Sequence, residues 1–160
     1  MDPEVRRVEA AEWPLYRKLR LEALRESPSA FDERYEDLLT WPDDSWRERV
    51  GDGASGAEES MFVAASDGGF VAKATCFTEP PSGSAQVVGF YVTPRFRGSG
   101  VAGDLMAAVK RWAREETRAD RLRLFVVRGN ERATAFYRRA GFTATGVTRN
   151  DEDEMAHDLR

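Results

Sequence analysis

The stretch FYVTPRFRGSGVAGDL, residues 90–105, places Gly98, Gly100 and Gly103 at Gly-x-Gly-x-x-Gly spacing. A small-residue loop running into a helix leaves backbone N–H groups unpaired at the positive end of the helix dipole, which suits a phosphate ligand. A dinucleotide fold would need the preceding strand to run directly into the first glycine, with an acidic residue at the end of the next strand. Here TPRFR separates the strand from Gly98, the next strand ends in VVRGN without a carboxylate, and the chain after Asn130 is too short for further strand and helix units. An NAD(P)-binding oxidoreductase is therefore disfavoured. No Gly-Lys-Ser/Thr follows, so the loop is not a nucleotide P-loop either. The remaining ligand is a pyrophosphate approached through Gly98, Ser99, Gly100 and Ala102, with a charge-assisted contact from Arg97. A glycine turn with no ligand is the plain alternative.

The elements that must hold this loop read as helices followed by a sheet with inserted helices. Leu15, Leu19 and Ala23 share one side of a first helix, with Pro14 in its opening turn and an end before Pro28. Helical stretches follow at residues 32–39 and in TWPDDSWRERV, for which Thr40 is the expected N-cap. GDGASGAEES reads as a loop. MFVAA, SDGG and FVAKATCF make a hairpin signal, and AQVVGFYV is a third strand. Val101, Leu105, Val109 and Trp112 then share a helical face, and RLRLFVV is a strand apolar on both faces. A short helix at 131–140 has Asn130 as cap and Gly141 as its left-handed stop. Short strands at 142–147 and 155–159 close the chain. The class is α/β, without a regular βαβ series.

At 160 residues, 41% of them hydrophobic, the chain suits one domain, 1–160. No apolar run approaches a membrane span and the N-terminus lacks a signal-peptide core, so the expectation is a soluble cytoplasmic protein without a membrane partner. A net charge of −4 disfavours nucleic acid and weakly suits a cationic substrate. Cys76, the single cysteine, has no neighbours at metal-ligand spacing, and no metal site is expected.

The strand followed by VTPRFRGSGVAGDLM, with Arg97-x-x-Gly100-x-Ala102, and the later block NERATAFYRRAGF resemble the two signature blocks of the GNAT superfamily of acetyl-CoA-dependent N-acetyltransferases. The resemblance is clearest over residues 60–147 and leaves 1–59 as a helical, acceptor-side region. It implies a mixed, mostly antiparallel sheet flanked by helices and splayed between the strands ending at Val92 and Val127. Acetyl-CoA would lie in the splay. The backbone of Phe90, Tyr91 and Val92 would pair with its pantetheine arm, and the N–H groups of Arg97, Gly98, Ser99, Gly100, Val101 and Ala102 would hold its pyrophosphate. Asn130 would cap the next helix and touch the arm. The resemblance further implies transfer to a primary amine of a small molecule, a protein N-terminus or a lysine, with a homodimer as a common assembly. A non-catalytic acyl-CoA-binding module shares the fold.

An acceptor ammonium must lose a proton before it attacks, and the leaving thiolate must gain one. Tyr137 stands where the family places the acid, although its spacing with Ala133 and Phe136 equally describes a packed aromatic. Glu79 is a weaker candidate base. His157, alternating with Met155 and Leu159, reads as structural, and Glu154 beside it is another weak base candidate.

Overall fold

The computed structural model describes residues 2–160. In chain order the elements are β1 (Glu4–Arg7), α1 (Trp13–Glu26), α2 (Tyr35–Leu39), α3 (Asp43–Ser55), β2 (Glu59–Ser66), β3 (Gly69–Glu79), β4 (Ser84–Val92), α4 (Val101–Glu116), β5 (Arg121–Val127), α5 (Glu131–Arg139), β6 (Thr143–Arg149) and β7 (Glu152–Asp158). The strands form one seven-stranded sheet in the order β1-β2-β3-β4-β5-β7-β6. Every neighbouring pair is antiparallel except β4 and β5.

That parallel pair is short. Ser84 faces Arg121, Ala85 faces Leu122 and Gln86 faces Arg123, after which the two strands share no further ladder rows. The expected splay is therefore present between the strands ending at Val92 and Val127. On its other edge β4 carries a bulge: Thr75 pairs with Val88 but Lys73 pairs with Tyr91, so β4 spends one extra residue. Gly89 in this bulge has φ +63°, which a glycine adopts without steric cost.

The two faces of the sheet have separate cores. Helix α4 lies mainly over β2 and β3 and buries Val101, Leu105, Val109 and Trp112 in one core with Phe62, Ala64, Val71 and Ala85, as its apolar spacing requires. On the opposite face Leu19 and Leu24 of α1 and Trp46 and Val50 of α3 pack on Met61, Val63 and Tyr91. Along β5 the residues Leu122, Leu124 and Val126 are buried in the core that includes α4, and Leu124, Phe125, Val126 and Val127 line the splay. The apolar character of both faces of β5 thus belongs partly to a cleft rather than wholly to a sheet interior.

Three local expectations are corrected. Helix α3 continues through residues 51–55, read from sequence as a loop. Its buried Gly53 lies so close to Met61 that an added Cβ would sit 2.5 Å from the Met61 Cβ, and Arg7 donates to the carbonyls of Gly53 and Gly56 at the helix end, at 3.0 and 2.7 Å. Tertiary packing and a borrowed guanidinium outweigh low helix propensity there. Thr40 is not the cap of α3; Pro42 occupies that position and supplies no side-chain hydrogen bond. Strand β1 went unread because EVRR has too few apolar residues to alternate, and it is held by its pairing with β2 and by Arg6 gripping Glu12 at 2.8 and 2.7 Å.

The hairpin between β2 and β3 turns through Asp67 and Gly68, both at positive φ, as a tight turn matched to strand twist requires. Helix α5 ends as expected at Gly141, with φ +97°. A Cβ there would also come within 3.0 Å of His157 Nδ1. Gly141→Val should accordingly cost about 2 kcal/mol, seen as a fall of roughly 4–8 °C in Tm; an unchanged Tm would remove the strain argument.

Candidate active site

The loop between β4 and α4 is shaped by two glycines in the left-handed region, Gly98 at φ +80° and Gly100 at φ +95°. A Cβ at either would meet no protein atom, so both are required by backbone conformation and not by internal crowding. Arg97 N–H bonds to Pro94, Ser99 N–H bonds to Phe96, and Val101 N–H reaches the Ser99 hydroxyl at 3.4 Å. Among the described residues, the N–H groups of Gly98, Gly100, Ala102 and Gly103 have no protein acceptor. Four unpaired donors at the mouth of a 16-residue helix make a built anion cradle.

The Arg97 side chain is placed differently from the expectation of a free phosphate contact. It forks onto Glu26 at 3.1 and 3.0 Å and donates through Nε to the Val92 carbonyl at 2.9 Å. Its charge is spent on fastening the loop to α1, and the cradle is a backbone device.

From the cradle a cleft of about 260 Å³ runs into the splay. Residues Val87, Val88, Gly89, Phe90, Tyr91 and Val92 form one wall and Leu124, Phe125, Val126 and Val127 the other, with α5 closing the side through Asn130, Ala133, Phe136 and Tyr137. Asn130 caps α5, its side chain accepting from Ala133 N–H at 3.2 Å. Phe90 packs between Phe136 and Tyr137, with ring centroids 5.5 and 6.1 Å away. The side chain of Tyr91 turns to the opposite face and donates to Glu22 at 2.9 Å, so only its backbone is available to the cleft. Burial alone lifts the Tyr137 hydroxyl to about 12, with no hydrogen-bond partner contributing. It is a protonated donor facing a cleft, whatever its packing role.

A second cavity of about 350 Å³ opens on the α1 and α3 side. It shares Ala30, Phe31, Val87, Val88, Gly89, Phe125 and Glu152 with the first, so the two cavities adjoin at the splay. Lys73 and Arg20 are buried in its wall. Lys73 Nζ donates to the Gly89 carbonyl at 2.7 Å, fixing the bulge. Arg20 Nη2 and both Arg49 Nη atoms hold the Glu33 carboxylate at 2.8–2.9 Å. These residues escaped the sequence reading. The available signal was a lysine in the middle of the apolar run FVAKATCF, where strand alternation already demands burial.

Glu79 lines neither cavity. Its carboxylate receives two hydrogen bonds of 2.7 Å from Arg123, which also holds Glu154 at 2.6 Å and so links β3 and β7 through β5. Both oxygens of the Glu79 carboxylate are thus engaged by one guanidinium. Glu154 is likewise committed, to Arg123 and Thr145. His157 hydrogen-bonds the Gly141 carbonyl at 3.1 Å and packs on Phe142, and Cys76 is buried with its thiol pushed up to about 12. Glu59, in contrast, lines the second cavity without an ion-pair partner, and burial together with the Asp52 charge raises its carboxyl. Among the described residues no cluster suits a metal ion.

A model of the acetyltransferase (GNAT) family matches residues 13–142. The chain belongs to the GNAT family. Membership makes it an acetyltransferase with acetyl-CoA as its cosubstrate, and the unpaired N–H cradle and adjoining cleft fit that molecule. Solved GNAT structures share its fold. The GNAT acetyltransferase from Streptococcus pneumoniae superposes with a TM-score of 0.83 at 15% identity, covering 99% of this chain and 100% of that one. The PaiA N-acetyltransferase from Thermoplasma acidophilum, in complex with coenzyme A, gives 0.79 at 15% identity, with 99% of each chain covered. RimL, a ribosomal L7/L12 α-N-protein acetyltransferase also in complex with coenzyme A, gives 0.77 at 16% identity, covering 99% and 94%. No curated protein sequence matches the chain.

Charge in the second cavity of this GNAT protein is pH-sensitive through Glu33, whose carboxyl the Arg49 hydrogen bonds hold down at about 2 against the cost of burial, with Arg20 assisting. A depressed native pKa gives stability that is complete above the ordinary glutamate range and lost as the pH falls towards 2. The stability gap between wild type and Glu33→Gln in urea should therefore be widest near pH 6 and shrink steadily below about pH 4.5; a gap constant from pH 6 to 2.5 would contradict the assignment.

Proposed function

We propose that this GNAT protein moves an acetyl group directly from acetyl-CoA to a primary amine, of a small molecule or of a protein, that enters through the second cavity. The observation that supports this reading is that Val88, Gly89 and Phe125 line both the cleft and the second cavity, so that a ligand in one lies next to a ligand in the other. The N–H groups of Gly98, Gly100, Ala102 and Gly103 bind the pyrophosphate, with those of Arg97, Ser99 and Val101 shaping the loop. The β4 edge at Phe90, Tyr91 and Val92, left without a strand partner by the splay, pairs with the pantetheine arm beside Asn130. A β4 N–H turned towards the thioester oxygen stabilises the charge that attack places there.

The amine reaches the thioester only after losing its proton, and Glu59 is the carboxylate of the second cavity we assign to accept it. Its raised pKa and lack of a cationic partner suit that role better than Glu79, which Arg123 has claimed. Tyr137, protonated at any working pH, gives the departing sulfur its proton. Residues 1–59 supply one side of the acceptor cavity through α1, the segment around Phe31, and α3.

Gly100→Val points a branched side chain into the open side of the cradle while meeting no protein atom. Coenzyme A affinity by calorimetry should fall at least about tenfold with the far-UV spectrum retained; unchanged affinity would remove the cradle from the reading. In amine-dependent thiol release from acetyl-CoA, Tyr137→Phe should lower kcat about 100-fold while acetyl-CoA affinity stays within about twofold. Equal losses in both would return Tyr137 to packing.

A further inference from the structure

The deep end of the second cavity is cationic, although the chain as a whole carries a net charge of −4. Lys73 is 2% exposed and Arg20 6% exposed. Both converge on Gly89, where a built Cβ would lie 3.1 Å from Lys73 Nζ and 3.9 Å from Arg20 Nη1. Both also stand over the ring of Phe31, Arg20 Cζ at 4.8 Å and Lys73 Nζ at 5.5 Å from its centroid. Like charges this close, this far from water, repel strongly unless a counter-charge lies between them or beside them.

The carboxylates of the cavity do not supply enough of it. Glu33 is shared between Arg20 and Arg49 and so offsets one of those two charges. Glu152 is paired with Arg149 at 3.0 Å, Asp32 sits on the exposed rim, and Glu59 lies four ladder rows from Lys73, opposite Phe77. Arg20 Nε is buried with no hydrogen-bond partner, and the single protein acceptor of Lys73 Nζ is the Gly89 carbonyl. Buried donors of charged groups are rarely left unpaired in a native structure, and the orphaned N–H leaves the guanidinium of this cavity-lining arginine with unused hydrogen-bonding capacity. In keeping with this, burial and the charges of Arg20 and Arg49 push Lys73 well below the usual lysine range, a shift that a bound anion would reverse.

We propose that Arg20 and Lys73 form an anion subsite at Gly89, so that the acceptor is an amine that also carries a carboxylate close to its amino group, as an amino acid does. The inference rests on the transfer reading for its amine and on the cavity alone for its anion. Gly89 lines both the cleft and the second cavity, so a carboxylate gripped there leaves an amino group one or two bonds away beside the cleft. A guanidinium and an ammonium approaching from different elements, α1 and β3, fix both the position and the orientation of a small carboxylate. A diamine or a lysine side chain would bring a second cation to the same spot and be repelled. The overall acidity of the chain, which weakly suits cationic acceptors, is distributed over the outside and does not reach this site.

The test compares each common α-amino acid with its own α-carboxamide, its aminophosphonate analogue where one exists, and putrescine. Wild-type thiol release from acetyl-CoA should show at least one amino acid used about tenfold or more better, in kcat/KM, than its carboxamide. That ratio should fall to within about twofold in Lys73→Met and in Arg20→Met. A phosphonate that matches or exceeds the carboxylate would move the assignment to phosphate chemistry and overturn the carboxylate. Carboxamides or putrescine used as well as amino acids would overturn the subsite while leaving the transfer reading intact. So would variants that slow every acceptor equally, since the two cations would then serve the reaction and not recognition. Calorimetry on the coenzyme A-saturated wild type separates the remaining cases. Amino acids binding about tenfold tighter than their amides without any turnover would support the subsite and sink the transfer reading. No turnover and no such preference in binding would overturn the subsite.

Discussion

Everything functional in this fold follows from the failure of two adjacent strands to stay together. β4 and β5 pair over three rows and then part, leaving backbone donors and acceptors along β4 with nothing on that edge to bond. Buried backbone groups without partners are costly, so a splay of this kind is stable only if it is opened by other forces and filled by water or ligand. The opening force is visible on both sides of the parting. At its closed end Arg123 ties Glu79 of β3 and Glu154 of β7 across β5. Beyond it the Gly89 bulge, pinned by Lys73, re-aims β4 away from its neighbour.

The same parting sorts the electrostatics. The cradle at the start of α4 presents peptide dipoles, and the guanidinium within the loop, Arg97, is bound to Glu26 and the Val92 carbonyl. The second cavity owes its character to side chains, the Arg20 guanidinium and the Lys73 amine, brought into the interior by α1 and β3. These are different solutions to holding an anion. A diphosphate with several oxygens is matched by a curved run of N–H groups, whereas a compact group is matched by a guanidinium and an ammonium converging on one point. Tyr137 and Phe90 pack together on the cleft side, and burial there keeps the Tyr137 hydroxyl protonated.

Local signals carried far along this chain. The tight turn at Asp67 and Gly68, the caps at Asn130 and Gly141, and the face made by Val101, Leu105, Val109 and Trp112 are short-range chemistry, and each was legible residue by residue. Legibility stopped where distant residues overruled local preference. Gly53 is held in the helix because Met61 and Arg7 meet it, and β1 exists because β2 is there to pair with it. Arg97 and Glu79 show the same limit in the site: each stands near the expected place, and each is engaged by a partner many positions away, Glu26 in one case and Arg123 in the other.

What the sequence determined by itself was the donor half of the site, since a glycine loop, the helix it opens and the strand before it occupy one continuous stretch and are set by backbone rules of short range. Only the tertiary structure decided the cavity that we assign to the acceptor. Arg20, Phe31, Glu33, Arg49, Lys73 and Gly89 are spread over 70 positions of chain, and their convergence on one cavity depends on how α1 and α3 pack against β3 and β4. Contacts between residues so far apart leave no periodicity in the sequence. They are fixed when the core closes and not before.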